Sequence, residues 1–224
     1  MNFYNNPGIT RKSQFPRFFI PFFFFIVFTP EIFAGAKVAL TFDDGPHPYY
    51  TKKILEILDS YSVKGTFFLV GKQAKKYPQL VRAIKSAGCE IGNHTYNHPR
   101  LIYLNEATIK KEVASTTKLL ESITGETIRY FRPPGGRYYF KTLECINGME
   151  IILWTINTDD IYKPANKIYR EVITAEDGDI ILMHSGVPQA IKVLPRILRY
   201  FRRNGISALS VSELRERKSA EAFK

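Results

Sequence analysis

Short apolar β-type runs alternate with amphipathic helical segments along most of this chain, and that alternation limits the fold more than any other feature. The runs Val38–Phe42, Thr66–Val70, Glu90–Asn93, Ile128–Phe131, Ile151–Thr155, Asp179–Met183 and Ile206–Leu209 each have the length of a strand. Helical segments separate them. Tyr50–Tyr61 carries Ile54, Leu55 and Leu58 on one face, and Gln73–Ala87 turns Leu80, Val81 and Ile84 inward before Gly88. A long helix is capped by Asn105 and stops before Gly125, and Ile168–Thr174 and Gln189–Asn204 follow. Ser210 with Glu213 has the pattern of a capping box opening a last helix. Such alternation gives parallel strands joined by crossover helices. The expectation is an α/β chain with about seven parallel strands, closed or nearly closed into a barrel. No Gly-x-Gly-x-x-Gly follows the first strand, so a dinucleotide site has no support. Chemistry in a barrel sits at the carboxyl ends of its strands.

The N-terminus stands apart from this pattern. Arg11, Lys12 and Arg17 precede an apolar run from Phe18 to Phe28, and Ala34-Gly35-Ala36 has the small-x-small form of a cleavage site. The run is shorter than the about 20 residues a membrane-spanning helix needs, and Pro21 interrupts it. Residues 1–36 are therefore expected to be a signal peptide and residues 37–224 the folded domain, with an uncleaved N-terminal membrane anchor as the alternative. An exported location follows: extracellular, periplasmic or associated with the cell wall. Without the first 36 residues the formal charge of +11 becomes +9, because three basic residues and Glu31 leave. A basic exported protein suits an anionic polymer or lipid surface, and export argues against nucleic acid. Plain solubility explains the charge equally well.

With 45% hydrophobic and 24% charged residues, disorder, collagen and coiled coil are excluded. Two cysteines, Cys89 and Cys145, are too few for a disulfide-stapled miniprotein or a Cys-rich zinc fold. Export permits a bond between them, but both equally suit buried apolar positions, and free thiols are expected.

The chemistry-bearing residues cluster at strand ends. The first strand runs into Thr41-Phe42-Asp43-Asp44-Gly45-Pro46. Adjacent carboxylates raise each other's pKa if buried, a cost that a cation removes. Read blandly, Asp-Gly-Pro is turn chemistry. The third strand leads into His94-Thr95-Tyr96-Asn97-His98-Pro99, two histidines at a spacing that can ligate one metal, although Pro99 restricts the turn. With Asp44 they make a two-His, one-carboxylate set with open positions, the arrangement of a catalytic metal. Phe131-Arg132-Pro133-Pro134-Gly135-Gly136 places a guanidinium where it can pair with a carboxylate such as Asp43. His184 ends the apolar strand before Ser185-Gly186, and a nearby carboxylate such as Asp160 would hold its tautomer and raise its pKa.

Thr-Phe-Asp-Asp-Gly-Pro, His-Thr-x-x-His, Arg-Pro-Pro-Gly, an Asp-bearing segment and Leu-x-His, in that order, resemble the NodB-homology polysaccharide deacetylases, carbohydrate esterase family 4. The resemblance runs from about Lys37 to Leu214. It implies an irregular (β/α) barrel of fewer than eight strands and a divalent metal, zinc foremost, with cobalt or nickel as alternatives. It implies that Asp43 is the catalytic base and that Asp44, His94 and His98 are the metal ligands. Arg132 would orient Asp43, and the backbone N–H near Gly135 would help hold the oxyanion. His184 would be the general acid, oriented by Asp160. The implied reaction removes acetyl groups from N-acetylhexosamine in peptidoglycan or a chitin-like polymer, such as a chitooligosaccharide, by a monomeric enzyme. Two departures stand out. The family's fourth motif, Asp-x-x-Asp-Trp, reads Asn157-Thr158-Asp159-Asp160-Ile161 here, and Gly135 stands where many relatives carry Tyr. A deformylase or deacetylase acting on a lipid-linked sugar is one competing reading. A non-catalytic cell-wall sugar-binding protein is another, and the intact set of polar residues argues against it.

Overall fold

The computed structural model describes residues 35–222, and at its centre lies β1 (Lys37–Gly45), a strand buried continuously from Val38 to Asp43. A parallel strand covered on both faces requires such a run. Residues 1–34 of the expected signal peptide lie outside the described residues. After β1 come α1 (Tyr50–Ser60), β2 (Thr66–Leu69), α2 (Gly71–Lys76), α3 (Pro78–Ser86), β3 (Glu90–Asn93) and α4 (Glu106–Thr124). They are followed by β4 (Tyr130–Phe131), α5 (Phe140–Cys145), β5 (Glu150–Ile151), β6 (Ile156–Asn157) and α6 (Ala165–Val172). The described chain ends with β7 (Ile180–His184), α7 (Pro188–Arg203), β8 (Ser207–Leu209) and α8 (Val211–Ala222).

Every strand pairing is parallel. Seven strands form one path, β5-β4-β3-β2-β1-β7-β6, curled into a half-barrel, and β8 pairs with β1 beside it at Lys37–Ala39. The expected parallel α/β barrel with about seven strands is what the chain forms. Its path does not close: β5 and β6 are its two ends, and residues 152–155 carry the chain between them. The single strand expected at Ile151–Thr155 is therefore two short strands at opposite ends of the sheet. Ile151 pairs with Phe131, whereas Ile156 pairs with Ile181. Ile152, fully buried in the crossing between them, keeps the apolar run unbroken and hides the break from periodicity. The helix expected at Gln73–Ala87 likewise divides at Tyr77, because Pro78 lacks an N–H and disfavours helical geometry in the residue before it.

Local signals elsewhere match the geometry. Asn105 accepts a 2.9 Å hydrogen bond from the Thr108 amide at the start of α4, and Gly125 ends that helix at φ 69°. Ser210 and Glu213 cap α8 reciprocally, with the Ser210 amide donating to the Glu213 carboxylate and the Glu213 amide to the Ser210 hydroxyl. Cys89 and Cys145 are buried free thiols. Between β1 and β2, Phe42 and Phe67 stack with ring centroids 4.9 Å apart, both fully buried. Phe67→Ala is expected to cost about 3–5 kcal/mol of unfolding free energy, because the cavity lies where the sheet cannot collapse. Urea denaturation of the two proteins measures it, and an unchanged midpoint would contradict this placement of the core.

Candidate active site

The strand register brings the carboxyl ends of β1, β3, β4 and β7 to one side of the sheet. Asp43 is the register partner of His184 across the β1–β7 pair, and Asn93 is that of Phe131 across β3–β4. His94 and Arg132 thus leave neighbouring strands together. The ends surround a cleft of about 380 Å³ whose walls include Asp43, Asp44, His94, His98, Gly135 and His184.

Asp44, His94 and His98 offer ligand atoms that all lie within 4.8 Å of one another. Asp44 Oδ1 stands 3.4 Å from His94 Nε2 and 3.1 Å from His98 Nε2. That oxygen is buried and makes no well-formed hydrogen bond, so its lone pairs face two imidazoles without a donor aligned to them. An orphaned acceptor flanked by two imidazole nitrogens is a chemically apt seat for a divalent cation. Burial pushes the Asp44 carboxyl up, but His94 and His98 outweigh it and hold the pKa far below the usual carboxylate range. The Asp44 carboxylate, 3.1 Å from His98 Nε2, raises the His98 pKa in turn. A carbonyl can only accept, so His94 Nδ1 donates to the Arg132 oxygen at 2.7 Å, which turns the Nε2 edge of the ring toward Asp44.

Arg132 is fully buried beneath this triad. Its guanidinium donates at 2.8 Å to Asp43 Oδ1 and at 2.8 Å to Thr41 Oγ1. It also donates to the carbonyls of Ile152 and Leu153, in the segment that crosses between β5 and β6. The Phe68 ring lies 4.1 Å from the guanidinium carbon. Burial lowers the Arg132 pKa, and the Asp43 charge opposes the shift. Asp43, itself buried, has its other oxygen 3.7 Å from His94 Nε2.

Across the cleft, Asp160 is wholly buried and receives both hydrogen bonds that His184 can direct at it. The His184 amide donates to Oδ2 at 2.8 Å and its Nδ1–H to Oδ1 at 2.6 Å. Thr158, anchored on the Leu182 carbonyl at 2.7 Å, fixes the loop that delivers Asp160. Burial lowers the His184 pKa, but Asp160 and the more distant Asp43 and Asp44 more than offset it, so the net shift is upward. Asp159, the neighbouring carboxylate, is engaged by Lys163 at 3.0 Å.

All eight residues singled out from the sequence therefore meet around one cleft or directly behind it. A family model described as polysaccharide deacetylase matches residues 33–152, more than half of the chain. The chain belongs to the polysaccharide deacetylase family. It is 39% identical over 155 residues to a peptidoglycan-N-acetylglucosamine deacetylase of Bacillus cereus, covering 67% of this chain and 56% of that protein. To a chitooligosaccharide deacetylase of Azorhizobium caulinodans it is 37% identical, over 68% of this chain and 75% of that protein. The solved structure of the peptidoglycan deacetylase PdaC from Bacillus subtilis superposes with a TM-score of 0.80 at 31% identity, covering 84% of this chain and 95% of the other. This chain thus spans little more than half the length of the Bacillus cereus relative.

Against the family's pattern, the departures are visible in the cleft. A Cβ built on Gly135, at φ 66°, would meet nothing within 4 Å, so the space beside that position is open where many relatives carry Tyr. Asn157 turns back to accept from the Asp159 amide at 3.0 Å, and Ile161 is 47% exposed. Arg100, Trp154, Tyr162 and Leu182 also line the cleft, and reading the sequence alone did not single them out. Only the aromatic character of Trp154, three residues past β5, and of Tyr162, five past β6, could have marked them. Asp160→Asn is expected to lower the His184 pKa, because burial then acts with its main opponent removed. NMR titration of the imidazole measures it; an unmoved midpoint would mean that Asp160 does not stabilise the imidazolium.

Proposed function

We propose that this chain is an exported, metal-dependent polysaccharide N-deacetylase, which hydrolyses the acetamido groups of N-acetylhexosamine in peptidoglycan or a chitin-like polymer. Residues 1–36 are the signal peptide in this reading and residues 37–224 the catalytic domain. One observation carries it. A buried carboxylate clamped by a buried guanidinium, a two-His, one-Asp cluster, and a carboxylate-supported imidazole open on the same cleft. The names of the similar proteins, acting on peptidoglycan or chitooligosaccharide, support the substrate class.

Asp44, His94 and His98 would hold the metal, zinc by its preference for nitrogen and oxygen donors, with cobalt or nickel also accommodated. When bound, the metal supplies Lewis acidity, polarising the amide carbonyl and easing deprotonation of water. Asp43 takes a proton from the attacking water through its unclamped oxygen, while Arg132 keeps the carboxylate aimed. A new C–O bond forms as the amide carbon becomes tetrahedral, and the backbone N–H near Gly135 donates to the developing oxyanion. His184, protonated and held by Asp160, gives its proton to the nitrogen. The C–N bond breaks, acetate leaves, and a free amine stays on the sugar. Because the base must be ionised and the acid protonated, the rate rises and then falls with pH. The raised His184 pKa sets the falling limb higher than an ordinary imidazole would.

The test is acetate release from chitooligosaccharide and from peptidoglycan, before and after chelation and with zinc or cobalt restored. Asp43→Asn is expected to retain its metal and to lose about 10²–10⁴-fold in rate, the usual contribution of a positioned base. Elemental analysis alongside the assay decides between roles: loss of metal in Asp43→Asn would exchange the parts given to Asp43 and Asp44. Acetate release that survives complete metal removal would overturn the reading.

A further inference from the structure

The two imidazoles of the cluster are held in different ways. His94 is buried, and its ring is pinned by the 2.7 Å bond from Nδ1 to the Arg132 carbonyl. The His98 side chain is 42% exposed, and among the described residues no hydrogen bond reaches its Nδ1. Its position is therefore set by its backbone. That backbone is strained: Thr95 and His98 sit at φ 64° and 62°, in the left-handed region that β-branched and bulky residues avoid. Something outside the loop must hold it.

Glu112, on the second turn of α4, does so. Its Oε2 accepts from the Tyr96 amide at 2.9 Å and the Asn97 amide at 2.7 Å, and its Oε1 accepts from the Asn97 side chain at 2.7 Å. The remaining amides are satisfied elsewhere, His94 on the Leu69 carbonyl, Thr95 on the Asn93 side chain and His98 on the Thr95 hydroxyl. Among the described residues, Glu112 is thus the only long-range partner of the two residues directly before His98 on their donor side. Helix α4 is in turn tied to β3, because Asn93 donates to the Val113 carbonyl and the Thr117 hydroxyl.

We propose that Glu112 is a positioning residue for the metal cluster, which through the Tyr96 and Asn97 amides fixes where His98 Nε2 stands and so sets metal affinity. The inference rests on the reading of Asp44, His94 and His98 as ligands. Outer partners of metal ligands typically govern affinity by about 10–100-fold.

Titration of the full chain with Co²⁺, followed by its visible absorption, tests this without any turnover. Glu112→Ala is expected to bind Co²⁺ about 10–100-fold more weakly. Glu112→Gln is expected to bind nearly as wild type, because its carbonyl oxygen serves both amides and its NH₂ serves Asn97 after that side chain flips. Val113→Ala, in the neighbouring core position, is expected to melt earlier yet keep its Co²⁺ affinity, which separates positioning from stability. Should Glu112→Ala fail to fold, Glu112→Asp, too short to reach both amides, takes its place with the same expected loss. Equal affinity in wild type and the folded truncation overturns the inference alone, and so does a Gln variant as weak as Ala. A wild-type protein that takes up no Co²⁺ removes the metal cluster and the inference with it.

Discussion

The buried guanidinium of Arg132 is the interaction on which the other parts depend. Burying a charge without partners is prohibitive, so the side chain is stable there only while Asp43, Thr41 and the carbonyls of Ile152 and Leu153 all receive its protons. Those partners come from β1 and from the segment that crosses between the sheet's ends. The same residue's carbonyl fixes the tautomer of His94, and its amide bonds to the Asn93 carbonyl at 3.0 Å. One residue therefore couples the curvature of the sheet, the orientation of a carboxylate and the direction in which His94 Nε2 points. Removing either charge would strand the other in a dry interior, which explains why such a pair behaves as a unit.

Around this rigid centre the backbone is held in conformations that it would not choose alone. Asp44, Thr95, His98 and Asp159 all have positive φ, between 47° and 67°, and all four stand in β1 or in the loops that follow β3 and β6. The neighbouring contacts offset that strain. The amides of Gly71 and Lys72 donate to the carbonyls of Thr95 and Tyr96 at 2.9 Å each, so the start of α2 holds the acceptors of the histidine loop while Glu112 holds its donors. Gly71 permits that approach, because a Cβ there would stand 2.6 Å from the Tyr96 ring and 3.1 Å from its Cα. Strain concentrated at strand ends and relieved by surrounding hydrogen bonds is the pattern of a preorganised site.

Much of this was legible in the sequence because it is written in short-range patterns. Parallel strands and crossover helices follow from alternating apolar runs, and the strand-end rule then places Asp43, Asp44, His94, Arg132 and His184 on one side. What stayed hidden needs contacts between distant residues. Glu112 lies fifteen or more positions from the amides it accepts from, in a helix where a glutamate ordinarily means a solvated face. The gap between β5 and β6 is invisible because a residue buried by crossing the core and one buried by pairing in a sheet are equally apolar. The division of α2 from α3 was signalled by Pro78, and the helical periodicity of Leu80, Val81 and Ile84 obscured it.

The open path of the sheet has one further consequence. A half-barrel leaves two edges, and an unpaired edge is a template on which another chain can add a strand. Here the two ends of the path, β5 and β6, are only two residues long, and β8, paired with β1 alone, is three. Arg132 takes up the carbonyls of Ile152 and Leu153 immediately beyond one of them, while Asn157 folds back on its own loop at the other. Too little backbone is left in either place to seed intermolecular strand exchange, so the sheet stays open along its path without offering a long edge for aggregation.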